Sequence, residues 1–99
     1  MIVAVFRSRL LPEAESEYKQ WAERMSGIAA AMPGYLSHKG FVAEDGERLT
    51  YVEFESEDAL RAWSAHPQHI QAKVKGRRRF FTEYNFKICT VVRDGSSRG

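Results

Sequence analysis

Residues 2–9, IVAVFRSR, alternate between two faces, and residues 14–32 then switch to apolar positions three and four apart. A period of two is that of a strand and a period near 3.6 that of an amphipathic helix. The first third of the chain is therefore committed to a strand followed by a helix. One strand face carries Ile2, Ala4 and Phe6, the other Val3, Val5, Arg7 and Arg9. The helical stripe is Ala14, Tyr18, Trp21, Ala22, Met25, Ile28, Ala29 and Met32. Pro12 suits the first turn, Glu13 and Glu15 complement the positive end of the helix dipole, and Pro33-Gly34 ends it.

The rest of the chain fixes the order. Residues 35–43 and 48–55 are rich in aromatic and β-branched side chains and flank EDGE at 44–47, which predicts a hairpin. Ser56 is placed to cap a second helix that carries Leu60 and Trp63 on one face. Pro67 must end that helix, because it cannot donate to the carbonyl of Trp63 and it holds His66 extended. A short helix with Ile70 and Val74 follows, expected to close at Gly76. Residues 80–92, FFTEYNFKICTVV, form a last strand with Phe80, Tyr84, Phe86 and Ile88 on one face. The order β-α-β-β-α-β predicts an α+β, ferredoxin-like domain over residues 1–93, a four-stranded antiparallel sheet with its two main helices on one face. Residues 94–99 are expected to form a loose polar tail. Val3, Val5 and Arg7 are expected to point toward the helices. Ile2, Ala4 and Phe6 would then lie on the bare face with the apolar side of the last strand, and a second copy of the sheet would cover them. The chain is expected to be a homodimer.

Composition removes several classes of function. A net charge of +2 is too small to imply nucleic acid as a partner. No run approaches the eighteen apolar residues of a membrane span. MIVAVF lacks the basic segment and cleavage site of a signal peptide, so a cytoplasmic location is expected. One cysteine, Cys89, excludes an intrachain disulfide and a cysteine-based zinc cluster.

Three segments, MPGY at 32–35, YVEFESEDALRAWSAHPQH at 51–69 and GRRRFFTEYNFKICTVVR at 76–93, stand in the order and spacing of a known family. From Met1 to about Arg93 the chain resembles the antibiotic biosynthesis monooxygenase (ABM) domain family of small dimeric α+β barrels. The resemblance implies a dimeric barrel and, in part of the family, cofactor-independent monooxygenation of phenols and quinols. Haem-degrading members are similar in their first strand and helix, yet only Trp63 matches their pattern. Arg7 stands where they have asparagine, and Lys73 where they have the iron-ligating histidine. A protonated lysine has no lone pair for iron, so haem chemistry is disfavoured. Phe54 occupies the position of a tryptophan typical of the quinone-forming members.

His66 and His69 are three apart, but Pro67 breaks the helix between them, and no third ligand is placed by sequence. No metal and no cofactor is expected. A cofactor-free oxygenase needs a group that helps a phenol become a phenolate, and a histidine has the appropriate basicity. His66 or His69 is the candidate base; as the alternative, His66 with Pro67 caps the new helix and His69 is a partly exposed first-turn residue. Arg7, expected beneath the helices, either pairs with a carboxylate such as Glu53 or Glu83 or holds an anionic ligand. Val5, Phe54, Trp63, Trp21 and Met25 are expected as walls of a pocket for a small aromatic substrate or ligand, or simply as core. The five basic residues within 73–79 read as a solvated turn or dimer edge, and Cys89 as a small buried hydrophobe. The expected function is a cofactor-independent monooxygenase for a small phenol or quinol; the alternative is a non-catalytic dimeric ligand-binding or accessory domain.

Overall fold

A computed structural model describes residues 1–97, so the last two residues of the expected tail lie outside the described residues. The strands are β1 (Ile2–Leu10), β2 (Tyr35–Val42), β3 (Arg48–Phe54) and β4 (Phe81–Thr90). The helices are α1 (Glu15–Ala30), α2 (Glu57–Ser64) and α3 (Pro67–Lys75). The sheet order is β2-β3-β1-β4 with every neighbouring pair antiparallel, which is the α+β ferredoxin-like arrangement.

Local chemistry sets the joints. Ser56 caps α2 by accepting a hydrogen bond from the Ala59 amide at 3.1 Å, satisfying one of the donors that a helix start leaves open. Pro67 occupies the first turn of α3, where its missing N–H costs nothing, and the His66 ring caps it by accepting from the Gln68 amide at 3.1 Å. Gly34 has φ +84°, and a Cβ there would lie 2.6 Å from Ala59 Cβ, so the turn into β2 requires glycine twice over.

Gly76 does not stop α3. The backbone stays helical through it and widens into one π-type turn, Gly76–Phe80, before β4 begins. The glycine serves packing instead: a Cβ would fall 2.6 Å from the Phe81 ring. The extra turn buries Phe80 and delays β4 by one residue.

The faces of the sheet are the reverse of those expected. Phe54, Leu60, Trp63 and Ala29 form the buried core, with Ile2, Ala4, Met25, Ile28 and Val52 packed against it. Ile2, Ala4 and Phe6 thus face the helices, and Val3, Val5, Arg7 and Arg9 face away. The outer face carries polar pairs: Arg7 donates to Glu47 at 2.7 Å, Arg9 to Asp45 at 2.7 Å and to Glu83 at 3.0 Å, and Ser37 to Glu53 at 2.9 Å. Arg7 therefore needs no buried partner. Cys89, opposite Val3, is exposed on this face rather than buried in the core.

Candidate functional site

Between the helices and the sheet lies a cleft of about 930 Å³. Its walls follow from periodicity. Helix α1 supplies Tyr18, Trp21, Ala22, Met25 and Ala29, one stripe at steps of three and four. Ala4 and Phe6 of β1 and Tyr84, Phe86 and Ile88 of β4 supply the floor, every second residue of each strand. Phe86 is 62% exposed and Ile88 46%, so no helix seals the β4 side.

Polar groups come from several elements, Lys19, Glu23 and Ser26 of α1 and Lys39 and Arg48 of the hairpin among them, and one set lies on α3 and its extension. His69, Lys73 and Arg77 are four apart, share one helical face, and all line the cleft. The His69 ring stacks on Trp63 with centroids 4.1 Å apart and planes 25° apart. His69 Nδ1 lies 3.1 Å from the Trp63 carbonyl oxygen. A carbonyl can only accept, so Nδ1–H donates, and in the neutral ring Nε2 keeps its lone pair. Burial pushes the imidazole down to about 4, helped by the nearby Lys73 and His66 and opposed by the Trp63 carbonyl. The Lys73 ammonium is also lowered, first by burial and then by Arg77, while Nζ donates to the Ser64 carbonyl at 3.0 Å. His38 of β2 lines the cleft as well, hydrogen-bonded to the Tyr35 hydroxyl.

Of the residues expected at a site, Trp21, Met25, Trp63 and His69 meet in this cleft. His66 does not reach it, because its ring is spent capping α3. Arg7 and Val5 are turned to the other face of the sheet. Phe54 is fully buried beneath the cleft and does not line it. Sequence reasoning missed Lys73, Arg77 and His38. The four-residue spacing of 69, 73 and 77 was the available signal for the first two; for His38 it was its place across from Val52 in the hairpin. Among the described residues, no group of three or more histidine, cysteine or carboxylate side chains could hold a metal ion. No helix among them is long and apolar enough to cross a membrane.

The depressed basicity of His69 sets a pH dependence. The unfolded chain takes up this proton near 6.5, the folded chain only near 4. Stability is therefore whole above about pH 6.5 and is lost as pH falls toward 4, because only the unfolded state gains the proton. With the ring partly exposed, the loss is about 1–2 kcal/mol. Urea unfolding at pH 7.5 and pH 4.5 is expected to show this difference in the wild type, beyond that in His69→Gln. Equal pH dependence of the two proteins would show that burial of the neutral ring has no such linkage.

The family model for antibiotic biosynthesis monooxygenases matches residues 1–75. The uncharacterized protein YqjZ of Bacillus subtilis (strain 168) is 34% identical over 90 residues, covering 91% of this chain and 79% of that protein. Rv0793 from Mycobacterium tuberculosis is similar in structure, with a TM-score of 0.85 at 17% identity over 96% of this chain and 98% of that one. SnoaB, a cofactor-independent oxygenase from Streptomyces nogalater, is similar with a TM-score of 0.79 at 19% identity over 94% of each chain. At these identities the two structures speak for the fold alone. The family match over three quarters of the sequence and the relative at 34% identity carry the assignment: this chain belongs to the antibiotic biosynthesis monooxygenase family.

Proposed function

We propose that the protein is a cofactor-independent monooxygenase that uses dioxygen on a small aromatic phenol or quinol bound in the cleft. The observation that carries the reading is His69, a neutral imidazole stacked on Trp63, in an aromatic-walled cleft with two cations beside it. The volume is of the size that takes a small organic ligand. In the reaction, a phenol with a ring hydrogen para to its hydroxyl and one dioxygen give a quinone and one water. One oxygen atom becomes the new carbonyl, the other leaves as water, and the substrate supplies all four electrons.

Nε2 of His69 accepts the phenol proton, and the positive charge of Lys73 and Arg77 on the same helical face favours the phenolate electrostatically. Transfer from an ordinary phenol near 10 to an imidazole near 4 is uphill by roughly 8 kcal/mol. That fits beneath the barrier of about 16 kcal/mol that corresponds to a turnover near 10 per second. The step is therefore feasible as a transient, while the phenolate would not accumulate. Such weak basicity also favours a second reading, a non-catalytic domain that binds an aromatic ligand through the same groups.

Oxygen uptake by purified, metal-free protein with a panel of dihydroxyaromatics separates the two. Monooxygenation is expected to give uptake that falls about 100-fold or more in His69→Ala and persists in His66→Ala and Arg7→Ala. Ligand binding without uptake across the panel would establish the second reading.

The proposal extends to a cytoplasmic homodimer. The apolar band Tyr84, Phe86 and Ile88, open to water in one chain, supports a second copy as its cover. Light scattering at micromolar concentration is expected to show a dimer; a monomer would defeat this part.

A further inference from the structure

The basic segment that ends α3 and runs into the π-type turn holds two kinds of cation. Lys75 and Arg79 both bind Glu17, at 3.3 and 3.0 Å, and none of the three lines the cleft. Lys73 and Arg77 line the cleft and, among the described residues, have no carboxylate within 4.0 Å. The cleft wall holds one acid, Glu23, which pairs with neither. Two like charges four residues apart on a helix repel, and Lys73 is partly desolvated as well. An anion between them would relieve both costs. Of the other cations on the wall, Lys19 and Arg48 pair with Glu15 and Lys39 lies over the Phe41 ring, while Trp21, Met25, Trp63, Phe86 and Ile88 supply apolar surface.

We propose that the cleft selects an aromatic carboxylate, with its ring against Trp21 and Trp63 and its carboxylate held by Lys73 and Arg77. This rests on the reading of the cleft as the ligand site and names the class of molecule it takes. The guanidinium of Arg77 offers a planar fork to the two carboxylate oxygens, and the Lys73 ammonium a point charge beside it. The acid group then anchors the ring so that a phenolic hydroxyl falls within reach of His69, one helical turn deeper on the same face.

The chain has two tryptophans, both on the cleft wall, so quenching of their fluorescence reports binding. The probes are 3-hydroxy-2-naphthoic acid, its methyl ester and 2-naphthol, which share a ring and differ in charge. The acid is expected to bind about tenfold or more tightly than the ester, the scale of a charge-assisted contact. Lys73→Gln and Arg77→Gln are each expected to shrink that preference several-fold, and the double variant to abolish it. Arg78→Gln is expected to leave it intact. Both side chains are exposed, and thermal unfolding followed by circular dichroism checks that the variants remain folded. Equal binding of acid and ester would overturn this proposal while leaving the cleft as a ligand site. An undiminished preference in the double variant would overturn the assignment to Lys73 and Arg77. Absence of quenching by all three probes would remove the ligand site and this proposal together.

Discussion

Phe54→Ala is expected to lower the unfolding free energy by about 3–5 kcal/mol, the cost of removing a large buried aromatic and leaving a cavity. Phe54 is the largest fully buried side chain, at 0% exposure. It sits at the end of β3, edge-on to Tyr35 with centroids 6.0 Å apart, within the core shared with Leu60, Trp63 and Ala29. These neighbours come from the sheet and from two helices, so no single element can relax to fill the void. A domain of this size has roughly 5–15 kcal/mol in total, so the loss is a large share of it. Urea unfolding at pH 7.5 measures the effect, with Phe54→Leu expected to lose less than half as much. Because Phe54 does not line the cleft, ligand affinity of the folded fraction is expected to stay within about twofold of the wild type. An Ala variant of unchanged midpoint would show that this residue is not the keystone of the core.

Trp63→Ala is expected to cost a similar amount, about 3–5 kcal/mol, and to change the site as well. Trp63 is 6% exposed, belongs to the same core, and presents its ring to His69. Burial is the largest cause of the low basicity of His69, and the indole is the surface stacked on that ring. Removing it lets water reach the imidazole, so its titration is expected to move from about 4 back toward the ordinary value near 6.5. Histidine proton NMR across pH 3–8 measures this directly in a folded sample. If His69 still titrates near 4 in the variant, the indole is not what excludes water. The two variants together separate stability from site chemistry: Phe54→Ala should move the first alone, Trp63→Ala both.

Much of the fold was legible from residues alone because each element carries its own local signal. The period of two in 2–9, the stripe from Tyr18 to Ala29, the cap at Ser56 and the break at Pro67 are decided by neighbours in sequence, and each stands where local chemistry puts it. Gly76 is the instructive exception. Its lack of a side chain reads locally as a helix stop, yet it answers to the ring of Phe81 in a later strand, and the helix runs on through it.

The candidate site was legible only in part. Trp21, Met25 and Trp63 were placed by helical periodicity on apolar sides and line the cleft; His69 was one of two open candidates with His66, and Arg7 and Val5 were expected on the face opposite to the one they take. For β1, alternation determines that Ile2, Ala4 and Phe6 lie opposite Val3, Val5 and Arg7, but both sets begin with apolar residues. The period carries no sign. Which set meets the helices depends on the side of the sheet that α1 crosses, and that is a property of the packed chain. His66 and His69 show the same limit: the sequence separates them at Pro67, and only the packing of α3 against α2 spends one ring on a cap and lays the other on Trp63. The sequence by itself determined the elements, their order and the break between the histidines, because those follow from local sterics and hydrogen bonding. The tertiary structure decided which sheet face is covered, which histidine meets the cleft, and which cations are left without a carboxylate partner, because each depends on residues brought together from distant parts of the chain.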